Sequence, residues 1–183
     1  MAQYARPDAD DTDGNWTDKS GGSTLYTSID ETSSDDATTY IKVTDNGSNE
    51  ACIVRLSDVS APGSSGTYIK YTALTSDNAY TGDPPDLKIE LLQGSSVKAT
   101  TTNSSVSTGS WTAYSYTISD VSGISDWTDL KFRITSIAGS GGGMGAGDEM
   151  KVSQVYLETQ DAGGGGSTPI AAIAMNTYRQ LSN

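Results

Sequence analysis

A period of two constrains this chain more than anything else in it. It recurs in short runs of five to eight residues, each bounded by Gly, Pro, Asn, Asp or Ser. In ACIVRL, Cys52, Val54 and Leu56 point one way while Ile53 and Arg55 point the other. TYIKYTAL sets Tyr68, Lys70 and Thr72 against Ile69, Tyr71 and Ala73, and LKIELL sets Leu87, Ile89 and Leu91 against Lys88 and Glu90. WTAYSYTI and LKFRITSI repeat the pattern, and MKVSQVYLE follows it from Met150 and Val152 to Val155 with a one-residue slip that predicts a bulge. Successive strand side chains face opposite sides of a sheet, so such runs predict antiparallel strands with one face buried.

TLYTSI and TTYIKV read as further strands, and QGSS, between LKIELL and VKATTT, reads as a hairpin turn whose Gly supplies a positive φ. NGSN and APGSSG are turns, DPPD at 83–86 is extended or turning because neither proline can donate to a ladder, DVSGISDW has room for one helical turn, and SGGGMGAG at 140–147 is a long loop. Eight or nine strands at this spacing, in a chain rich in Ser, Thr, Gly and Asp, predict an all-β, antiparallel β-sandwich of jelly-roll type. The expected organisation is an acidic N-terminal arm or loop at 1–22, the sandwich at 23–162, a Gly/Ser linker at 163–168 and a C-terminal tail at 169–183.

The tail, helical or extended, carries Ile170, Ile173, Ala174, Met175, Tyr178 and Leu181, with Pro169 at the first helical position. A helix of about a dozen residues is marginal alone in water. The segment therefore either docks through these apolar residues or frays.

Several function classes fall away on composition. A formal net charge of -12 disfavours nucleic acid and anionic membranes as partners. No run reaches the roughly 20 apolar residues of a spanning helix, and MAQYARPDADD lacks the basic and apolar regions of a secretory signal peptide. The chain has no histidine, which removes Ser-His-Asp and Cys-His catalysis and His-containing zinc sites. The lone Cys52 cannot form an internal disulfide and reads as a small core residue. GGGMGAG at 141–147 is Gly-rich, but no helix opens behind it to bind a phosphate.

Three kinds of site remain to be weighed. A glycosidase needs two carboxyls facing across a cleft, and Asp30, Glu31, Glu90, Asp148 and Glu149 are the available candidates. In DADDTDGNW, aligning Gly14 with the glycine of an EF-hand loop puts Asp11 and Asp13 at ligand positions, but Ala9 and Ser20 then fall where the first and last ligands belong. The segment is either a Ca²⁺-holding loop or a solvated acidic arm, and no other cofactor is expected. Trp16, Trp111 and Trp127, with ten tyrosines, offer material for a sugar-stacking platform. Trp111 opens an alternating run and Trp127 precedes LKFRI, so both also read as core or end caps.

The start of the chain resembles β-sandwich proteins of tailed bacteriophages, abundant among marine viral sequences. The resemblance rests on Arg6, Pro7, Ala9, Asp10, Gly14, Trp16, Leu25, Tyr26, Ile29, Asp30, Glu31, Asp36, Tyr40 and Ile41, with LKIELLQGSSV and ISDWTDLKFRI further on. It covers 6–160 loosely and implies a virion-associated jelly roll with no catalytic residues to carry over.

The first expectation is thus a non-enzymatic phage structural protein, made in the host cytoplasm and residing in the virion. It would decorate a capsid, its tail docking on capsid or other virion proteins, where many copies give avidity to a weak anchor. The alternative is a carbohydrate-binding module, or a lectin-like fibre or spike protein, with a surface glycan as partner and self-association, such as a trimer, through the tail. A hydrolase is the third.

Overall fold

The structure, a computed structural model, describes residues 1–44, 47–63, 66–76, 84–138 and 149–161. Eleven strands run through them: β1 (Ala2–Ala5), β2 (Pro7–Thr12), β3 (Thr17–Asp18), β4 (Ile41–Thr44), β5 (Glu50–Leu56), β6 (Thr67–Thr75), β7 (Asp86–Gln93), β8 (Ser96–Asn103), β9 (Thr112–Ile118), β10 (Leu130–Ile137) and β11 (Glu149–Gln160). The last eight pair in nested fashion. β7 and β8 form a hairpin, and outward from it β6 pairs with β9, β5 with β10 and β4 with β11. A long hairpin rolled up in this way is a jelly roll. Its two antiparallel sheets have the orders β3-β4-β11-β6-β9, with β1 also on β11, and β2-β5-β10-β7-β8. They are called the first and second sheets below.

Alternation decides which side chains meet between the sheets. Ile69, Tyr71 and Ala73 from β6 and Met150, Val152, Val155 and Leu157 from β11 face Cys52, Val54, Leu87, Ile89, Leu91, Phe132 and Ile134 from the second sheet, in one continuous core. Cys52 is fully buried there as a free thiol, and burial pushes its pKa far above the ordinary range. Gly94, at φ 58, makes the turn between Gln93 and Ser96. No helix among the described residues is long and apolar enough to cross a membrane.

Three local expectations are corrected. Residues 1–22, read as an arm or loop, supply β1, β2 and β3 and are built into both sheets. β2 pairs with β5 as an edge strand with two register shifts, and its exposed acidic residues hide the strand from a hydrophobicity reading. TLYTSI is a single 3-10 turn at Tyr26–Ser28, not a strand. The Asp10 carboxylate accepts the N–H groups of Leu25 and Tyr26 at 2.9 and 2.8 Å, and Leu25 and Ile29, four residues apart, both bury completely. DVSGISDW forms no helical turn. The carboxylates of Asp120 and Asp126 instead accept the N–H groups of Ser122 and Thr128, two residues on, which closes two side-chain turns.

Candidate functional site

The bulge in β11 creates the main surface feature. Before it, Met150 and Val152 face the core; after the shift between Val152 and Gln154, Val155 and Leu157 do. The extra residue, Ser153, is fully buried, and its Oγ lies 2.9 Å from that of Ser34. Were the same residues to alternate regularly, with no bulge, Tyr156 would keep the parity of Val152 and point inward. With it, Gln154, Tyr156 and Glu158 stand on the outer face of the first sheet.

Register then assembles that face row by row. Tyr4, Glu158, Tyr68 and Thr117 form one transverse row. The next is Tyr156, Lys70 and Ser115, and the one after is Gln154, Thr72 and Ala113. Lys42, Lys151 and Leu74 follow, about 6.8 Å apart from row to row. Thr72, Ala113 and Ser115 are small, so a trough of about 310 Å³ opens among them, with Lys70, Gln154 and Tyr156 also lining it.

Aromatic rings share this face: Tyr156 lines the trough and the others stand around it. On one side Tyr4 and Tyr156 meet edge to face, centroids 5.9 Å apart, and Tyr68 lies beneath the Lys70 ammonium at 5.6 Å. On the other, Tyr40 and Trp111, which directly precede β4 and β9, approach to 5.6 Å, and the Lys151 ammonium lies 5.5 Å from the Tyr40 ring. Beneath the floor, Tyr71 and Tyr114 stack on the inner side with centroids 5.2 Å apart. The Tyr114 hydroxyl accepts the Ser107 N–H at 2.8 Å, and burial raises the pKa of the Tyr71 hydroxyl.

The charges on this face are fixed by short contacts. Lys70 reaches Glu158 at 2.6 Å, which raises its pKa. Lys42 and Lys151 hold the two oxygens of Glu149 at 2.8 and 2.9 Å. Burial would push the Glu149 pKa upward, but the two ammonium groups outweigh it and the net shift is downward. Gln154 Nε2 donates to the Glu31 carbonyl at 2.7 Å, and Arg6 Nε donates to the same oxygen at 3.2 Å.

The residues singled out in the sequence scatter. Trp16 is 1% exposed and gives its Nε1–H to the Glu50 carbonyl at 3.0 Å; Trp127 is 8% exposed in the core. Neither can stack on a sugar, and of the three only Trp111 stands half-exposed beside the trough. The face is made mainly by tyrosines, whose convergence from β1, β6 and β11 depends on register.

Asp11 does not offer a calcium ligand. Hydrogen bonds from Lys131 and Arg55 at 3.1 Å hold its carboxylate and lower its pKa. The Asp13 carbonyl accepts the Trp16 N–H, and no cluster of three potential metal ligands occurs among the described residues.

Of the hydrolase candidates, Glu90 and Glu149 do not come together. Glu90 lies on the outer face of the second sheet, bound by Arg133 at 2.6 Å, whereas Glu149 lies on the outer face of the first. Thr39 donates to Glu31 Oε1, Oε2 is buried without a partner, and burial raises the pKa. Asp148, the linker, and Ile170, Ile173, Ala174, Met175, Tyr178 and Leu181 lie outside the described residues.

A second cavity of about 320 Å³ sits at the end of the second sheet, lined by Asp8, Arg55, Asp58, Asp129 and Lys131 among others. Its volume matches the trough, but no aromatic residue lines it.

No family model and no curated protein matches the chain. Among solved structures it is similar to the xylan-binding module CBM15, at 12% identity over 88% of this chain and 99% of that one, with a TM-score of 0.44. It is also similar to the C-terminal CBM6 of LamC from Zobellia galactanivorans, at 14% identity over 87% and 100%, with a TM-score of 0.43. A third is TmCBM61 in complex with β-1,4-galactotriose, at 10% identity over 67% and 72%, with a TM-score of 0.39. At these values the likeness concerns the course of the chain, and the functional reading rests on this chain's own residues.

Proposed function

We propose that this chain is a non-catalytic glycan-binding β-sandwich and that the outer face of its first sheet is the binding surface. One observation carries the reading: a small-residue floor at Thr72, Ala113 and Ser115, lined by Tyr156, with Tyr4 and Tyr68 in the next row of the same face and the Tyr40–Trp111 pair on that face in the opposite direction. A sugar ring is amphipathic. Its C–H faces suit aromatic rings, and its hydroxyls suit the donors and acceptors that Gln154, Lys70, Glu158 and Ser115 set between them. At about 310 Å³ the trough is at the low end of the roughly 300–1,000 Å³ of small-molecule sites, a size for one or two sugar units.

Binding without turnover fits the same residues. The carboxylates on this face, Glu149 and Glu158, are each paired with lysine, and the two ammonium groups beside Glu149 hold its pKa below the usual carboxylate value, the opposite of what a general acid needs. Capsid decoration depends on a tail beyond the described residues, so glycan binding becomes the leading reading. The test is affinity electrophoresis of the full chain through gels containing xylan, galactan, laminarin, polygalacturonate or dextran sulfate. At least one polysaccharide should retard it, and Tyr156→Ala should abolish most of the retardation while leaving the unfolding midpoint within a few degrees. Free migration in all five gels would defeat the reading.

A further inference from the structure

The charge on this face runs against the rest of the molecule. The chain carries a net -12, with 23 acidic and 11 basic residues. Yet Arg6, Lys42, Lys70 and Lys151 share the outer face of the first sheet with only Glu149 and Glu158 from its strands. Three of these four cations are paired with carboxylates, Lys42 and Lys151 sharing the single charge of Glu149 and Lys70 meeting Glu158.

Arg6 is different. Its Cζ lies 5.0 Å from the Tyr4 ring centroid and 5.3 Å from that of Tyr156, and its Nε donates to the Glu31 carbonyl. Among the described residues no carboxylate lies within 4.0 Å of it, and its terminal nitrogens make no hydrogen bond. Two aromatic rings and one carbonyl thus hold a half-exposed guanidinium in place while the rest of its donor fork stays unused. Gln154, which shares the Glu31 carbonyl, and Tyr156, which lies beside the guanidinium, both line the trough.

From this juxtaposition we infer that the ligand is an anionic polysaccharide, whose carboxylate or sulfate groups are taken by Arg6 as the adjacent sugar lies on Tyr156. The inference rests on the glycan-binding reading and names its substrate class. A planar, permanently charged fork matches a carboxylate or sulfate with two parallel hydrogen bonds, and a neutral sugar has no use for the charge. The acidic remainder does not forbid this. At physiological ionic strength charge is screened over about 8 Å, so the local excess on the face governs contact while more distant carboxylates are damped.

The experiment is equilibrium binding of the full chain at roughly 0.15 M salt, with polygalacturonate and dextran sulfate as carboxylate and sulfate probes and xylan and laminarin as neutral ones. The expected result is at least tenfold tighter binding to one anionic probe than to either neutral one. Arg6→Gln should remove that preference and Arg6→Lys should keep part of it, both with an unchanged unfolding midpoint. Tighter binding to a neutral probe, or an anionic preference that survives Arg6→Gln, would overturn the inference and leave the glycan-binding reading intact. Failure to bind any of these probes or galactan, or binding indifferent to Tyr156→Ala, would overturn both. The two anionic arms distinguish carboxylate from sulfate.

Discussion

Tyr40 and Trp111 stand on opposite sides of the β11–β6 strand pair, and their rings meet across it with centroids 5.6 Å apart. Three strand spacings, roughly 14 Å of sheet, separate the strands that these residues introduce. The rings therefore reach toward each other over the outer face, near Lys151 and above Leu74, an outward-facing residue buried away from the main core. They share that face with the trough, which Tyr156 lines, and lie in the opposite direction from Tyr4 and Tyr68.

That arrangement makes Trp111 the accessible one of three tryptophans, since Trp16 and Trp127 are in the core. Acrylamide should quench one component of the intrinsic fluorescence and leave the other two largely protected. Trp111→Phe should remove the quenchable component. Quenching that persists unchanged in this variant would contradict the placement of all three.

Gly14 turns the chain between β2 and β3 at φ 59, and a Cβ there would lie 2.1 Å from the Ala51 carbonyl oxygen. Gly14→Ala combines left-handed strain with a backbone clash and should cost on the order of 2–4 kcal/mol. Gly109, at φ 72, has nothing within 4 Å of the same position. Gly109→Ala should therefore cost only the strain, about 1–2 kcal/mol. Urea unfolding of the two variants compares them, and equal losses would contradict the close approach at Ala51.

Glu90 is 6% exposed and holds Arg133 at 2.6 Å and Lys88 at 3.4 Å. Arg133 is the main cause of its lowered pKa. A depressed carboxyl stabilises the fold fully above its unfolded value, near 4.5, and the contribution fades as pH falls through the lower folded value. Glu90→Gln should thus cost about 1.5–3 kcal/mol at neutral pH. The gap to the unmodified chain should narrow as pH is lowered below that unfolded value. Denaturant unfolding at neutral and acidic pH tests this, and a pH-independent gap would show that packing, not charge, is what the substitution removes.

Legibility in the sequence followed burial. LKFRITSI became β10 with the same limits, Leu130–Ile137, because alternating apolar residues between two sheets leave one register that buries them. The slip in MKVSQVYLE marked the β11 bulge for the same reason. β2 escaped notice because its exposed acidic residues and Ala give no apolar alternation, and pairing with β5 makes it a strand. TLYTSI reads as a strand but folds as a 3-10 turn, because Leu25 and Ile29 also fit one face of a helical turn and the cap from Asp10, fifteen residues upstream in the chain, decides it. The candidate site was barely legible. Tyr4, Tyr68 and Tyr156 are distant in sequence, and only the β1–β11–β6 register brings them to one face. The tryptophans drew attention as the larger rings, yet two of them are core.

The central claim, that ligands enter the trough over Ala113, is tested most directly by blocking its floor. Ala113 is exposed and faces out beside Thr72, so Ala113→Glu fills the trough without touching the core. Thr102→Glu places the same side chain on the outer face of the second sheet, at an exposed site opposite Lys88. Polysaccharide binding should fall by tenfold or more in Ala113→Glu and stay within twofold in Thr102→Glu. Undiminished binding in Ala113→Glu would contradict the account and move the ligand to another face.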